Sequence, residues 1–427
     1  MGFIFLLLFV LVTCMACSTN DSAIPCDDIE QITVNLNKPT HDASNFIEKI
    51  ELVPLETNDS VLMPIPKKSI YDGKNDLFYF YTKNQIIYTF SGEGKFLASS
   101  EKVKGEGPKE YYMVLDMQVN PFQNGIDLLN PYGNIYTYSP TFEFICKKKV
   151  RTEFVLSSFM PLDSSKYVFK SPDIWSNQEI IFYDCETDEN FVQNYKGTIA
   201  NNNMHKERFY KINDKFFFVP NGVNYYFYEM DAVKKSLSPI IHLDLGDDAI
   251  DGSFLPGRAT GDRTDYREKQ NQYLKEIAER ADYLRNSEYH IPVVKFFNER
   301  YVYLFFMKKS LRYGSHFIYD RIKRKSWLVK NGDPFIMEVC FGINDNVLLA
   351  VCQAEYVSRL VDKKLMATEE VRKMNAILED DNPIIIKLFH NLFLPFFLVL
   401  GVFVFSLVVT LTFLLLPNFI LFIISSP

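Results

Sequence analysis

The sequence predicts an all-β chain closed into a six-bladed β-propeller, and three observations carry that prediction. Strand-like runs recur in groups of four at a spacing of about 40 to 50 residues, the period of a propeller blade. Aromatic residues make up 15% of the chain, with 25 Tyr and 38 Phe against 2 Trp, and charged residues 23%. That composition suits a strand-rich globular protein and not a disordered one. Finally, Gly105-Glu106-Gly107-Pro108-Lys109-Glu110-Tyr111 separates two strand groups. Pro108 fixes its own φ and pushes Gly107 out of the helical region, and the glycines allow close backbone approach or positive φ. These seven residues therefore read as a rigid connector, of the kind needed where the outer strand of one blade crosses to the inner strand of the next. At 427 residues the chain exceeds the usual domain length, which a single propeller does as well.

Residues 1–16 read as a signal peptide. The apolar run Phe3 to Val12 has the length of a leader core and is too short for an ordinary membrane span. Met15-Ala16-Cys17 followed by Ser18-Thr19-Asn20-Asp21 reads as a lipobox and polar tether, with Cys17 the candidate acylated residue. Cys14 is the second choice, and it stands where such sites usually carry Leu. Residues 17–46 form the tether and an N-terminal strand, with Ile32, Val34 and Leu36 alternating against polar neighbours. Ile47 to Leu55 is a further strand whose Pro54 belongs at an end or edge, placed to close the ring by pairing within the final blade.

The propeller is expected over residues 47–388. Its first group runs from Lys68 to Ser100 and includes the hairpin Ile86–Ser99, turned at Ser91-Gly92-Glu93-Gly94. Further groups span Met113–Val150, Glu153–Asn194, Arg208–Leu245 and Val293–Lys330, and a sixth begins at Phe335. Their turns carry Asp, Asn, Gly or Ser. Two helical insertions interrupt the pattern. Asp262–Asn286 places Tyr266, Tyr273, Leu274, Ile277, Ala278, Ala281 and Leu284 on one stripe, and Gln353–Leu378 breaks where Thr368 can cap a second helix. Both are expected to lie on a propeller face and narrow the central channel. Ile384 to Leu388 supplies the last strand. Residues 389–427 form a hydrophobic tail in which Leu392–Leu416 is uncharged and long enough for a transmembrane helix; a native anchor and a read-through end both stay open.

Three stretches, IELVPLET (Ile50–Thr57), FSGEGKFL (Phe90–Leu97) and GEGPKEYY (Gly105–Tyr112), resemble the six-bladed β-propeller lipoproteins abundant in Bacteroidetes, whose blades are similar to NHL repeats. The resemblance covers roughly Ile47 to Leu388. It implies the fold and a lipoprotein of the cell envelope, on the outer membrane or facing the periplasm, and it implies no particular ligand.

Catalytic signatures such as H-E-x-x-H, G-x-S-x-G or a Walker loop are missing from the sequence. Beyond Cys14 and Cys17 no cysteine pair has metal-ligand spacing, so no disulfide framework and no metal site is expected. His242 and His316 alternate within strands as hydrogen-bonded structural residues. Gly246–Gly252 is acidic and glycine-rich but does not fit an EF-hand, and it reads as a turn. The net charge of −7 without a long basic run argues against an extended nucleic-acid or anionic-lipid footprint, and an acidic or neutral partner stays open. The candidate ligand-binding residues are Glu106, Lys109, Glu110 and Tyr111, a carboxylate, an ammonium and a phenol on a rigid loop at the channel mouth. Their competing role is structural, with Glu110 accepting backbone N–H bonds and locking the connector. The leading function is a noncatalytic, envelope-anchored propeller that binds a polar ligand such as a glycan, or a protein partner. The alternative is a hydrolase or lyase built around a central divalent cation such as Ca²⁺, which needs several inner-strand carboxylates converging on the axis.

Overall fold

The computed structural model describes residues 29–390, except 39–40, 42, 60, 152–155, 172–178, 196–206, 251–270, 272–274, 276–277, 280–281, 285, 309–312, 331–339 and 345–346. Two strands precede the first complete blade: β1 (Glu30–Thr33) and β2 (Ile47–Pro54). The first blade contains β3 (Pro66–Asp72), β4 (Leu77–Thr82), β5 (Ile87–Ser91) and β6 (Phe96–Ser99). The second contains β7 (Asp116–Asn120), β8 (Gly125–Leu129), β9 (Asn134–Tyr138) and β10 (Phe144–Lys149). The third contains β11 (Ser158–Pro161), β12 (Lys166–Lys170), β13 (Glu179–Asp184) and β14 (Glu189–Asn194). The fourth contains β15 (Phe209–Ile212), β16 (Lys215–Phe218), β17 (Tyr226–Asp231) and β18 (Ser236–Asp244). The fifth contains β19 (Ile291–Phe297), β20 (Tyr301–Lys308), β21 (Tyr313–Asp320) and β22 (Lys325–Lys330). The sixth contains β23 (Cys340–Asn344), β24 (Val347–Cys352) and β25 (Ile384–His390), with β2 as its outer strand. The six sheets are the six blades the sequence predicts.

Strand position within a blade explains strand composition. In β4, all six residues of Leu-Phe-Tyr-Phe-Tyr-Thr are buried, because a central strand between neighbouring blades is covered on both faces. The outer strand β10 alternates half-buried and exposed residues and ends on Lys147-Lys148-Lys149, charges that discourage edge-to-edge pairing. In the predicted hairpin turn only Gly94 needs positive φ, at +86°; a Cβ there would lie 2.3 Å from the Pro54 carbonyl oxygen.

Ring closure uses the N-terminal strand as expected. β2 pairs antiparallel with β25, Ile47 opposite His390 and Pro54 opposite Ile384. The chain leaving β2 is then tied to the first blade and to the end of the sixth. Glu56 donates its backbone N–H to Gly94 O at 2.8 Å, and its carboxylate accepts Phe96 N–H at 3.0 Å. Asn382, 2% exposed, accepts from Met63 N at 2.7 Å and donates to the carbonyls of Glu56 and Val61, both at 2.7 Å. The segment before β2 serves other edges. β1 lies parallel to β18 as a fifth strand of the fourth blade, and His41 N donates to Leu328 O of β22 at 2.7 Å. β1 and His41 thus meet the outer edges of blades four and five, and β2 is itself the outer strand of blade six.

The helical insertions pack differently from expectation. In the first, the described residues 271, 275, 278–279, 282–284 and 286 are helical; Leu284 is buried near Val223, Ile291 and Val293, whereas Ala278, assigned to the apolar stripe, is exposed. The second insertion contains two α-helices, α1 (Val357–Leu360) and α2 (Thr368–Ala376). Thr368 does not cap α2; Ala367 is the N-cap residue and Thr368 the first helical one. Nor does α2 narrow the channel. It lies along the free edge of β2, where Glu370 Oε2 accepts Leu52 N–H at 2.7 Å and Oε1 receives Lys373 Nζ at 2.7 Å. An outer strand exposes unpaired N–H groups, and a carboxylate from a covering helix satisfies one of them. β25 runs to His390, two residues past the predicted end. Residues 1–28, with Cys17, and the tail from 391 lie outside the described residues. No described helix is long and apolar enough to cross a membrane.

Replacing Asn382 with Ala removes three buried hydrogen bonds at the ring seam and is expected to lower stability by about 2–4 kcal/mol. Chemical denaturation measures this, and an unchanged midpoint would show that the seam holds without it. A second expectation concerns pH. Burial lowers His316 to about 3 and His390 to about 4, and His390 Nδ1 has no hydrogen-bond partner. Both fold as neutral rings, whereas the unfolded chain takes up protons near pH 6.5. Their contribution is complete above that pH and is lost as pH falls towards 4. His390→Phe should therefore flatten the fall of the thermal midpoint between pH 7 and 4; an unaltered slope contradicts the assignment.

Candidate axial ligand site

The inner strands β3, β7, β11, β15, β19 and β23 surround the propeller axis, and each contributes residues to a cavity of about 410 Å³. Its walls are mostly apolar, from Ile70, Val119, Met160, Phe209, Phe296 and Phe297. Polar groups come from Ser69, Asp72, Lys74, Gln118, Glu207 and Lys211. Glu207 lies just before the start of β15 and Gln118 at the middle of β7, whereas Asp72, Lys74 and Lys211 lie toward the ends where inner strands finish.

A buried ionic network sits where the inner strands begin. Lys68 Nζ lies 2.7 Å from Asp116 Oδ1 and 2.9 Å from Glu207 Oε2. Gln118 Nε2 donates to Glu207 Oε1 at 2.9 Å. Asp116 also accepts Met117 N–H at 2.9 Å and Phe159 N–H at 3.2 Å. Strands of the first, second and third blades and the residue leading into the fourth are joined in this way. Burial pushes the Asp116 carboxyl above its ordinary range, a rise that Glu207 adds to and Lys68 opposes. The two carboxylates hold Lys68 as an ammonium above its usual value, against the opposing effect of burial. Lys295, on β19, is a second buried amine. Its Nζ donates to Gly222 O at 3.1 Å and Asn224 O at 2.9 Å, and burial with Arg208 nearby lowers it to about 7. Asp127 belongs to a separate structural knot, accepting from Thr137 Oγ1 at 2.6 Å, Asn120 Nδ2 at 2.8 Å and Tyr167 OH at 3.1 Å.

None of the four residues proposed from sequence lines the axial cavity. Tyr111 is fully buried; its hydroxyl bonds Ser100 Oγ and donates to Gln85 O at 2.8 Å. Glu110 Oε2 accepts Gly107 N–H at 2.9 Å, the structural role weighed against binding. Neither Gly105 nor Gly107 has positive φ. A Cβ at Gly105 would lie 2.1 Å from the Glu110 carboxylate and one at Gly107 3.0 Å from it, so a side chain at either position would displace the Glu110 side chain from its bond to Gly107 N–H. Lys109 is exposed, with Nζ 5.7 Å from the Phe144 ring centre, and Glu106 is exposed. The predicted structural histidines are engaged: His242 Nδ1 is 2.7 Å from Gln31 Oε1 and His316 Nδ1 is 2.8 Å from Tyr303 OH. Sequence reasoning missed Lys68, Asp116 and Glu207. The available signal was a charged residue at or just before the start of an apolar inner strand, where a polar terminus should be solvated but the axis is enclosed. Chemistry centred on a cation needs several ligands together, and among the described residues no three His, Cys, Asp or Glu side chains converge.

The profile of a family described as "Domain of unknown function (DUF4934)" matches residues 29–389, from the start of the edge-covering segment to the end of β25. The chain belongs to this family. Among solved structures, the chain is similar to a Bacteroides fragilis protein whose name records an expected export, with TM-score 0.64 and 16% identity over 84% of this chain and 99% of that one. That likeness shows the fold alone. Two WD40 propellers align less well. The Doa1 domain has TM-score 0.26 and 13% identity over 41% of this chain and 68% of its own, and the C-terminal domain of Sif2 has 0.28 and 9% over 43% and 60%. No curated protein matches this DUF4934 chain.

Lys68→Met leaves two carboxylates without their cation and is expected to destabilise the fold by about 3 kcal/mol at neutral pH. With the ammonium gone, Asp116 titrates higher still, and its protonated form carries no charge. The deficit relative to wild type should therefore shrink as pH falls through the raised carboxyl range. A deficit independent of pH would mean that lost packing, not charge, is responsible.

Proposed function

We propose that this protein is a noncatalytic binding propeller of the cell envelope, with the axial cavity as its pocket. The observation that carries the reading is the cavity itself: about 410 Å³, walled by inner-strand aromatics, with Gln118 and Glu207 among its few polar groups. Pockets of about 300–1,000 Å³ with mainly apolar walls and a few convergent polar groups suit small organic ligands. Aromatic faces beside amide and carboxylate oxygens fit a neutral polar ligand such as a mono- or disaccharide, whose C–H faces stack while its hydroxyls donate. Glu106 and Lys109, exposed on the connector, are placed for a protein partner on that face, while Glu110 and Tyr111 shape the loop that presents them.

The envelope location is supported by the leader-like residues 1–16, by Cys17 with its polar tether, and by the export recorded in the name of the Bacteroides fragilis neighbour. Cys17 is the proposed acylation site, with the hydrophobic tail as a second route to the membrane.

Thermal-shift titration with neutral mono- and oligosaccharides tests the pocket. A saturable rise in midpoint is expected for wild type and its loss for Ile70→Trp, which sets a larger ring at a lining position of the cavity and is compared with wild type for an unchanged midpoint without sugar. A panel without any shift, or shifts that survive Ile70→Trp, would reject the axial cavity. Metabolic labelling with a fatty-acid analogue tests the anchor: label should be present in wild type and absent in Cys17→Ser.

A further inference from the structure

The whole chain is acidic, yet four of the five residues from 321 to 325, Arg321-Ile322-Lys323-Arg324-Lys325, are basic. Arg321–Arg324 form the turn between β21 and β22 of blade five, Lys325 opens β22, and Glu30 and His390 both lie beside this turn. At the start, Glu30 of β1 is ion-paired with Arg321, Oε2 lying 2.7 Å from Nη2. At the end, His390 shares a recess of about 140 Å³ with Lys323, Lys325, Tyr301 and Trp327. Cys17, the proposed acylation site, precedes Glu30 by 13 residues and the uncharged tail 392–416 begins two residues after His390, so both proposed membrane attachments adjoin, in sequence, residues that flank this turn.

The turn is built to present its charges. Asp320 Oδ1 accepts the backbone N–H groups of Ile322 at 3.0 Å and Lys323 at 2.9 Å, and its Oδ2 accepts from Arg300, so this carboxylate is engaged beneath the turn. Glu30 is matched by Arg321. Nearby Glu299 bonds Asn213, and its carbonyl accepts Arg321 Nη1. The side chains of Lys323, Arg324 and Lys325 are exposed, and between them and Arg321 stands Ile322, 74% exposed. An isolated apolar side chain flanked by cations suits the headgroup layer of a bilayer, where Lys and Arg side chains are attracted to an anionic surface.

We propose that the Arg321–Lys325 turn rests on an anionic phospholipid bilayer, with Ile322 entering the interface and Lys323, Arg324 and Lys325 facing lipid phosphates. This inference rests on the envelope reading above. It fixes the orientation of the ring: the turn joins the third and fourth strands of a blade, so it lies at the opposite end of the fourth strand from the inter-blade connectors. The connector face, with Glu106 and Lys109, points away from the membrane.

The test uses the full chain reconstituted with vesicles of phosphatidylcholine, with or without phosphatidylglycerol. Flotation reports anchoring. Orientation is read from quenching by brominated acyl chains of an indole introduced by Ile322→Trp, compared with Glu106→Trp, after subtraction of the signal from the two native Trp. The proposal expects quenching several-fold stronger at 322 than at 106, increased by phosphatidylglycerol and reduced when Lys323→Gln, Arg324→Gln and Lys325→Gln are combined. Flotation with equal quenching at both positions, or quenching unaffected by the triple substitution, overturns the docking while leaving the anchor standing. Failure to float overturns both. Matching thermal midpoints for the variants exclude misfolding as the cause.

Discussion

A propeller chain has one place where covalent continuity cannot hold neighbouring strands together, and everything inside the ring depends on how that place is closed. Here the seam is β2 zipped to β25. Hydrogen bonds alone would leave β2 an exposed outer strand, so the seam is reinforced on both sides. On its free edge Glu370 accepts Leu52 N–H, and at its exit Asn382 and Glu56 fasten the departing chain to β25 and to the first blade. Buried donors and acceptors carry a penalty when unpaired, so a single amide such as Asn382, with three bonds to the backbone of residues 56–63, ties the chain leaving β2 to the chain entering β25.

Closure makes the axis a place where charge can be buried. Lys68, Asp116 and Glu207 come from distant parts of the chain and meet only because the ring brings the starts of inner strands together. Outside the ring each would be solvated. Inside it, the ammonium and carboxylates must satisfy one another, and the adjacent aromatic cavity inherits a fixed polar end. The same logic appears at the rim. The edge of blade four is covered by β1, that of blade five meets His41, and the β2 edge of blade six is covered by α2, while the edge of blade two is guarded by lysines on β10.

Much of the fold was legible because blade strands repeat a local pattern. Aromatic and β-branched runs such as Leu77–Thr82 and Tyr301–Lys308 declare themselves as central strands whatever surrounds them. The connector was legible as a non-strand link between blades, and the structure places the Glu110 carboxylate, not a positive φ, against Gly105 and Gly107. Less was visible in the helical insertions. Thr368 carries a capping side chain, yet the backbone turns helical one residue earlier, with Ala367 as cap. The face that α2 covers was set by the free edge of β2, more than 300 residues away, which no local periodicity encodes.

Sequence alone determined the blade count, the closing role of Ile47–Leu55, the rigid connector and the structural use of His242 and His316. These follow from short-range patterns of burial, turn chemistry and strand alternation. Tertiary structure decided which polar residues share the axis, that Tyr111 is buried while Lys109 is not, and that Glu30 and His390 flank the basic turn of blade five. The physical reason is range. Strand and turn propensities act over a few residues, whereas the partner of a buried charge is chosen by the closure of the whole ring.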